Sequence, residues 1–330
     1  MDAATRGSRR IVFFLVPNFS MIAFTSAIEP LRLANRQLGY SYYRWQIATL
    51  DGGMGLASSG LRIEATASLE DEKRQMTGDA RPDLVLVCSG IAVERFDSRP
   101  LHTWLRQLHR SGTAVGALCT GAWVLAKAGL LDGRRCAIHW ENLPGFSENF
   151  PKAEVYSDLF EIDQNIYTCA GGTAPLDMML TLIEKDLGET IVNRVCEQLL
   201  ADRIRDSHDR QRLPLRARLG IQNPKVLQII ELMESNLAEP LSLSDLAHGS
   251  GLSRRQIERL FRRSMGRSPA RYYLELRLDR ARHLLRQSNL PVVEVAVACG
   301  FVSASHFSKV YREYFNRSPL TERRERELTE

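Results

Sequence analysis

Short apolar runs alternate with longer amphipathic stretches from residue 11 to about residue 205, the pattern of a mostly parallel sheet covered by helices. Ile11-Val-Phe-Phe-Leu-Val16, Trp45-Gln-Ile-Ala-Thr-Leu50, Asp83-Leu-Val-Leu-Val87 and Thr113-Ala-Val-Gly-Ala-Leu118 read as strands. Residues 20–38 and 100–110 read as helices, 155–170 as a hairpin around Asp163-Gln-Asn165, and 174–186 and 189–205 as two more helices. The periodicity lapses over 207–221, which is polar and basic and holds Pro214 and Gly220; such composition marks a linker. Beyond it no strand pattern appears. The expected organisation is an α/β domain over 10–206, a linker over 207–221 and an all-α domain over 222–322.

An internal repeat of about 50 residues stands out in the helical part. Asp245-Leu-Ala-His-Gly-Ser-Gly-Leu252 aligns with Glu294-Val-Ala-Val-Ala-Cys-Gly-Phe301, and Gly266-Arg-Ser-Pro269 with Asn316-Arg-Ser-Pro319. Each copy reads as a short helix, a turn at Gly251 or Gly300 and a second helix from near Ser253 or Ser303, which is the helix-turn-helix layout. Ser253 and Gln256 fit a capping box at the start of the second helix. On that helix Ile257, Leu260 and Phe261 share one face, so Arg254, Arg255, Glu258, Arg259 and Arg262 point outward. A cationic, hydrogen-bonding face suits a DNA groove. Between the copies, Leu274, Leu278, Ala281 and Leu285 recur at helical spacing; about 17 residues would span roughly 26 Å, enough to hold two recognition helices about one DNA turn apart.

Charge sharpens this picture. The 330 residues carry a formal net charge of +5, yet residues 251–319 hold 14 Arg and Lys against 5 Asp and Glu, a local surplus of nine, and the remainder is net acidic by four. Such asymmetry points to a polyanion partner. The length favours two domains, and 44% hydrophobic with 25% charged residues is a globular composition. No apolar run approaches the roughly 18 residues of a membrane span, and the six-residue run at 11–16 is too short for a signal peptide, so a cytoplasmic protein with no membrane partner is expected. The six cysteines, at 88, 119, 136, 169, 196 and 299, form no C-x-x-C pair and no zinc-finger spacing, so neither a structural metal nor a cofactor is expected.

Residues 222–322 closely resemble the AraC/XylS family of transcription regulators. The resemblance rests on the stretch Val292-Val-Glu-Val-Ala-Val-Ala-Cys-Gly-Phe-Val-Ser-Ala-Ser-His-Phe-Ser-Lys-Val-Tyr-Arg-Glu-Tyr-Phe315 followed by Arg317-Ser-Pro319. It implies double-stranded DNA and RNA polymerase as partners. By that resemblance the base-reading positions are Arg255, Glu258 and Arg259 in the first unit and Ala304, Ser305 and Lys309 in the second, with His306 beside a phosphate.

In the first domain, the strand at 113–118 runs straight into Cys119-Thr-Gly-Ala122 and an apolar helix. This is nucleophile-elbow spelling: the turn should expose the cysteine, and the helix start should favour its thiolate. The wider stretch resembles the ThiJ/PfpI branch of the class I glutamine-amidotransferase-like fold. The matching pieces are Ser26-Ala-Ile-Glu-Pro-Leu-Arg-Leu-Ala-Asn35, Ala117-Leu-Cys-Thr-Gly121, Ile138-His-Trp-Glu141 and Gly171-Gly-Thr-Ala-Pro-Leu-Asp177. The resemblance implies a flavodoxin-like sheet sandwiched by helices, with Glu29, Cys119 and His139 around one pocket. It departs from the ThiJ/PfpI hydrolases where Thr120 replaces the histidine that follows their cysteine, and a nucleophilic cysteine needs a base within reach. A cysteine-dependent hydrolase or deglycase fused to a DNA-binding module is thus the alternative, not the leading expectation.

A ThiJ/PfpI-like domain ahead of an AraC-type module is the layout of the GlxA-type regulators. That resemblance implies a ligand-sensing, dimerising first domain in a homodimeric activator, with an effector among small amines and amino acids such as glycine betaine, carnitine or arginine. Glu29, Cys119, Thr120, His139 and Trp140 are the expected pocket residues. Aromatic faces at Phe19, Trp123 or Trp140 would hold a cationic amine.

Overall fold

The computed structural model describes residues 8–76, 80–201, 204–212 and 214–328, and the chain divides into two compact units, residues 1–211 and 212–330. In the first unit the elements run β1 (Arg9–Leu15), α1 (Met21–Leu38), β2 (Tyr43–Thr49), β3 (Gly55–Leu56), β4 (Arg62–Ile63), β5 (Ala67–Ser68), α2 (Leu69–Arg74), β6 (Leu84–Cys88), α3 (Arg99–Arg110), β7 (Ala114–Leu118) and α4 (Ala122–Lys127). They continue with β8 (Arg135–Ala137), α5 (Leu143–Asn149), β9 (Glu154–Tyr156), β10 (Phe160–Asp163), β11 (Ile166–Cys169), α6 (Ala174–Leu187) and α7 (Glu189–Leu199). Seven strands form one sheet in the order β10-β11-β7-β6-β1-β2-β5, parallel except for the β10–β11 pair.

The continuous apolar runs follow from burial on both faces. Ile11, Phe13 and Leu15 of β1 face a core with α1, α6 and α7, while Val12, Phe14 and Val16 face a second core with α3 and α4. The strand order reverses between β1 and β6, and in such sheets ligands bind beyond the carboxyl ends of the strands near that switch. Cys88 ends β6, Cys119 follows β7 and Cys169 ends β11.

Three expectations change. The hairpin begins at Phe160 rather than 155, because residues 154–156 instead pair in parallel with β8. The helix expected over 189–205 stops at Leu199, with Leu200 left-handed at φ 53°. Beyond that point buried Asp177 accepts from the Arg205 backbone N–H at 2.8 Å and from its guanidinium at 2.6 Å, which ties the chain back to α6. The supposed linker is shared out: Leu159 N–H donates to Ser207 O at 2.9 Å in the first unit, whereas Leu215 and Ile221 are buried in the second.

The second unit is helical: α8 (Leu215–Leu219), α9 (Pro224–Ser235), α10 (Leu243–Ser250), α11 (Arg254–Met265), α12 (Pro269–Gln287), α13 (Val292–Ala298), α14 (Ala304–Phe315) and α15 (Pro319–Leu328). It holds two small cores. Val226, Ile230, Leu246, Ile257, Phe261, Tyr272 and Tyr273 form the first, and Leu278, Leu285, Val295, Phe301, Phe307 and Tyr311 the second. Helix α12 serves both, its first half in one core and its second half in the other. Its 19 residues span about 28 Å.

Candidate functional site

The two helix-turn-helix turns are closed by the residues the repeat singled out. Gly251 and Gly300 take φ 67° and 74°. A Cβ on Gly300 would also meet Pro240 Cγ and Cδ at 2.5 Å, so the turn fits against that loop only as glycine. Ser253 and Gln256 form the expected capping box, with Ser253 N–H donating to Gln256 Oε1 at 2.8 Å and Gln256 N–H donating to Ser253 Oγ at 3.3 Å. Ser303 caps α14 by accepting from His306 N–H at 3.3 Å.

Burial divides each second helix into two faces. On α11, Ile257 and Phe261 are buried while Arg254, Arg255, Arg259, Arg262 and Arg263 are exposed; Glu258 is half-buried, 3.9 Å from Arg262. A shallow concavity runs along this face, lined by Arg255, Glu258, Arg259 and Arg262 among others. On α14, Phe307 and Tyr311 are buried while Ser305, His306 and Lys309 are exposed and Ala304 is half-buried. The first helix thus presents five guanidinium groups, and the second a smaller, more neutral face.

Helix α12 fixes the second turn to itself. Arg277 donates from Nε to Cys299 O and from Nη2 to Gly300 O, both at 2.7 Å, and its guanidinium lies 4.1 Å from the centre of the Phe301 ring. At the far end Glu322 of α15, 2% exposed, meets Arg282 at 3.2 Å and Arg286 at 2.5 Å and accepts from Tyr311 Oη at 3.2 Å. Burial alone would raise this carboxyl, but the arginines outweigh it and hold it below its ordinary value.

In the first unit Cys119 has the elbow backbone, with φ 62°, but not the expected chemistry. It is 8% exposed, and burial, with Cys169 and Glu141 nearby, pushes its thiol up to about 12 against a smaller opposing contribution from the Thr120 N–H. The reason is packing: Gly171, at φ 89°, leaves just enough room, since a Cβ there would lie 2.8 Å from Cys119 Sγ. The exposed thiolate suggested by the spelling is therefore corrected to a buried thiol. Thr120 is buried and donates to Gly90 O at 2.7 Å, locking the turn to the loop after β6. Among the described residues no histidine hydrogen-bonds Cys119.

The remaining expected residues separate. His139 and Trp140 line a cavity of about 220 Å³ together with Gly171, Thr173, Arg205 and Gln211. Glu29, Cys119 and Thr120 are not in its wall. Glu29 sits on α1 with its carboxylate 2.6 Å from Arg32, both side chains nearly half exposed. Of the aromatics offered for a cation, Phe19 is fully buried and Trp123 is packed against Phe146 and Phe150 at 5.8 and 5.3 Å. Both are core; Trp140 alone reaches the cavity. Burial lowers the His139 pKa, which favours the neutral ring, and Glu141 N–H donates to its Nδ1 at 3.4 Å. Glu141 Oε2 lies 3.9 Å from that Nδ1.

Arg205 and Gln211 were missed as site residues because they lie in stretches read as a helix end and a linker. The repeated polar residues there gave no spacing signal. Gln211 Nε2 donates to Ile138 O at 2.9 Å and Asp158 O at 2.8 Å, while its Oε1 is buried with no hydrogen-bond partner among the described residues. No described helix is long and apolar enough to cross a membrane.

Known proteins match both units. The DJ-1/PfpI family matches residues 9–185, more than half of the chain, and a helix-turn-helix domain matches residues 246–325. The HTH-type transcriptional regulator GbdR of Pseudomonas aeruginosa is 46% identical over 318 residues, 96% of this chain and 85% of its own. The regulator CdhR of the same species is 44% identical over 311 residues, 94% of this chain and 90% of its own. The crystal structure of an AraC family transcriptional regulator from Pseudomonas putida superposes with a TM-score of 0.51 at 31% identity, covering 58% of this chain and 99% of that one. The chain belongs to the AraC-type HTH transcriptional regulators that carry an N-terminal DJ-1/PfpI domain, and it is a DNA-binding regulator rather than an enzyme.

Proposed function

We propose that the protein is an effector-responsive activator that works in the cytoplasm as a homodimer and recruits RNA polymerase, with residues 10–206 sensing and dimerising and residues 222–322 reading DNA. Arg255, Glu258 and Arg259 read base edges in one major groove; Ser305 and Lys309 do so in the next, where His306 contacts phosphate. The observation that carries this reading is α12, one helix shared between two cores, which spaces α11 and α14 as a rigid bar of about 28 Å. That length is close to the roughly 34 Å of one DNA turn.

The effector is a small amine or amino acid held in the cavity beside His139 and Trp140. Its 220 Å³ lies below the roughly 300 Å³ at which pockets for drug-sized ligands begin, so a metabolite of a few heavy atoms is favoured. Trp140 and Glu141 suit a cationic group, and Arg205 a carboxylate. The buried Cys119 acts behind the cavity, through Gly171, with Thr120 holding the turn next to it; Glu29 pairs with Arg32 and takes no part in this cavity.

Footprinting of the full chain with and without glycine betaine, carnitine and arginine as probes tests both halves of the proposal. Protection of two grooves about 10 base pairs apart per monomer, strengthened by one probe and made unresponsive by Trp140→Ala, is expected. A single protected groove per monomer would refute the two-helix reading, and an unchanged response in Trp140→Ala would refute the assigned cavity.

A further inference from the structure

A second group of polar side chains lies outside that cavity. Asp158 precedes β10, Glu161 lies within it and His208 follows α7, and one ligand atom of each lies within 4.8 Å of the other two. His208 Nδ1 is already 2.6 Å from Asp158 Oδ2. The backbone enforces the approach across 50 residues of sequence: Leu159 N–H bonds to Ser207 O, Asp158 pairs with Arg210 in an antiparallel bridge, and Gln211 Nε2 donates to Asp158 O. Three donors are thus assembled by chain register rather than by chance rotamers of long surface side chains.

Two carboxylates and an imidazole thus share one small space. Glu161 is 5% exposed, so its carboxylate is held in place within the first unit. The Arg135 guanidinium meets the Glu161 carboxylate at 3.1 Å, and the His208 ring meets Asp158 at 2.6 Å. That guanidinium also stands 4.9 Å from the centre of the Tyr156 ring, a contact it keeps if it yields the carboxylate. A concavity of about 780 Å³ lined by Glu161, His208, Arg135, Asp163 and Asp206 among others gives access from solvent.

We propose that Asp158, Glu161 and His208 form a binding site for a divalent transition-metal ion of the zinc class. One imidazole and two carboxylates are a donor set that first-row divalent ions accept, and the two carboxylates by themselves balance the ion's charge. Ligands about 2.0–2.2 Å from zinc stand roughly 3.3–3.6 Å apart in a tetrahedral site, so the ion requires the 2.6 Å contact between His208 and Asp158 to open and the wider separations, up to 4.8 Å, to close, movements the exposed His208 ring can supply. The cysteine spacing that argues against a structural zinc finger does not bear on a carboxylate–imidazole set. A bound ion would clasp residues 207–211 to the loop before β10, immediately before the second unit begins.

The full chain, freed of metal by a chelator, is titrated with zinc chloride by calorimetry and with cobalt chloride by visible absorption. One equivalent should bind, with no thiolate charge-transfer band. His208→Ala, at an exposed position that leaves the fold intact, and Asp158→Asn should each weaken binding at least about tenfold, the lower end of what losing even an outer partner costs. Absence of binding, equal affinity in wild type and His208→Ala, or a thiolate band that moves the ion to a cysteine would each overturn the proposal.

Discussion

The two units carry their function in opposite ways. In the second, the working groups lie on the outside of single helices: Arg255, Arg259 and Arg262 recur every three or four residues on α11, opposite the buried Ile257 and Phe261. In the first, the cavity gathers residues from 139 to 211 across a turn, a glycine loop, the chain after α7 and the end of the unit. A helix face needs only one period to be specified. A cavity needs the whole sheet in register first, so its side chains mean little until the fold is known.

The largest expected effect tests whether the units also stand apart energetically. Phe261 is fully buried in the first small core of the DNA-binding unit, with its ring 6.0 Å from that of Tyr272, and Phe261→Ala should cost about 3–5 kcal/mol. All four tryptophans, Trp45, Trp104, Trp123 and Trp140, lie in the first unit. Thermal melting followed by tryptophan fluorescence should therefore stay put while helix loss by circular dichroism moves to lower temperature. Equal shifts in both signals would mean one cooperative body and would erase the contrast.

Arg259→Ala addresses the exposed face alone. It should weaken a specific site by roughly 1–3 kcal/mol while changing nonspecific binding less, measured by gel shift at fixed salt on operator and scrambled duplexes. An equal loss on both would make Arg259 a phosphate contact. Lys309→Ala on the less cationic α14 offers the internal comparison, and a smaller loss there is expected.

Acid should separate the units again. His102, His109 and His139 all have pKa values lowered chiefly by burial, so the unfolded chain takes up protons that the folded first unit refuses. Stability contributed by keeping these rings neutral is present above their ordinary 6.5 and falls as pH drops below it. Glu322 behaves differently. Its lowered pKa makes its contribution to the second unit complete above the ordinary 4.5 and lost only as pH falls through the depressed value. On acidification, tryptophan fluorescence should report weakening of the first unit before circular dichroism shows loss of the second unit's helices. The reverse order would mean that Glu322 and its arginines stabilise less than their burial suggests.

How much the sequence discloses follows the same division. The capping box of Ser253 and Gln256, the turns at Gly251 and Gly300 and the apolar face of α11 were all visible, because each depends on neighbours within four residues. The central strands were visible because burial on both faces makes them continuous apolar runs. The two-residue strands β3, β4 and β5 were not, since they are shorter than any hydrophobic period. Arg205 was hidden because its role depends on Asp177, 28 residues away, and Trp123 looked available only because an apolar stretch does not tell which aromatic reaches a surface. The elbow at Cys119 shows the limit most clearly: its backbone was legible, its burial was not.

That residue gives the smallest expected effect and the sharpest remaining contrast between a reactive and a packed cysteine. With a pKa near 12, the thiol is almost wholly protonated at neutral pH, and the thiolate is the nucleophile. Thr120, which occupies the position after it, spends its hydroxyl on Gly90 O and has no basicity to lend. Cys119→Ser keeps the size of the side chain and places a hydroxyl where a small apolar group packs, so it should cost about 1–3 kcal/mol of stability, as for other buried polar groups judged by mutation. Effector-dependent transcription in a reporter assay should persist, with at most a shifted effector threshold through Gly171, which touches Cys119 and also lines the cavity. A slow reaction of the native protein with an alkylating reagent, accelerating only on unfolding, is expected from the same burial. Abolished induction in Cys119→Ser, together with a covalent adduct or a converted effector in mass spectra of the wild type, would overturn this reading: the cysteine would then be opened to chemistry by a movement that the ligand itself induces.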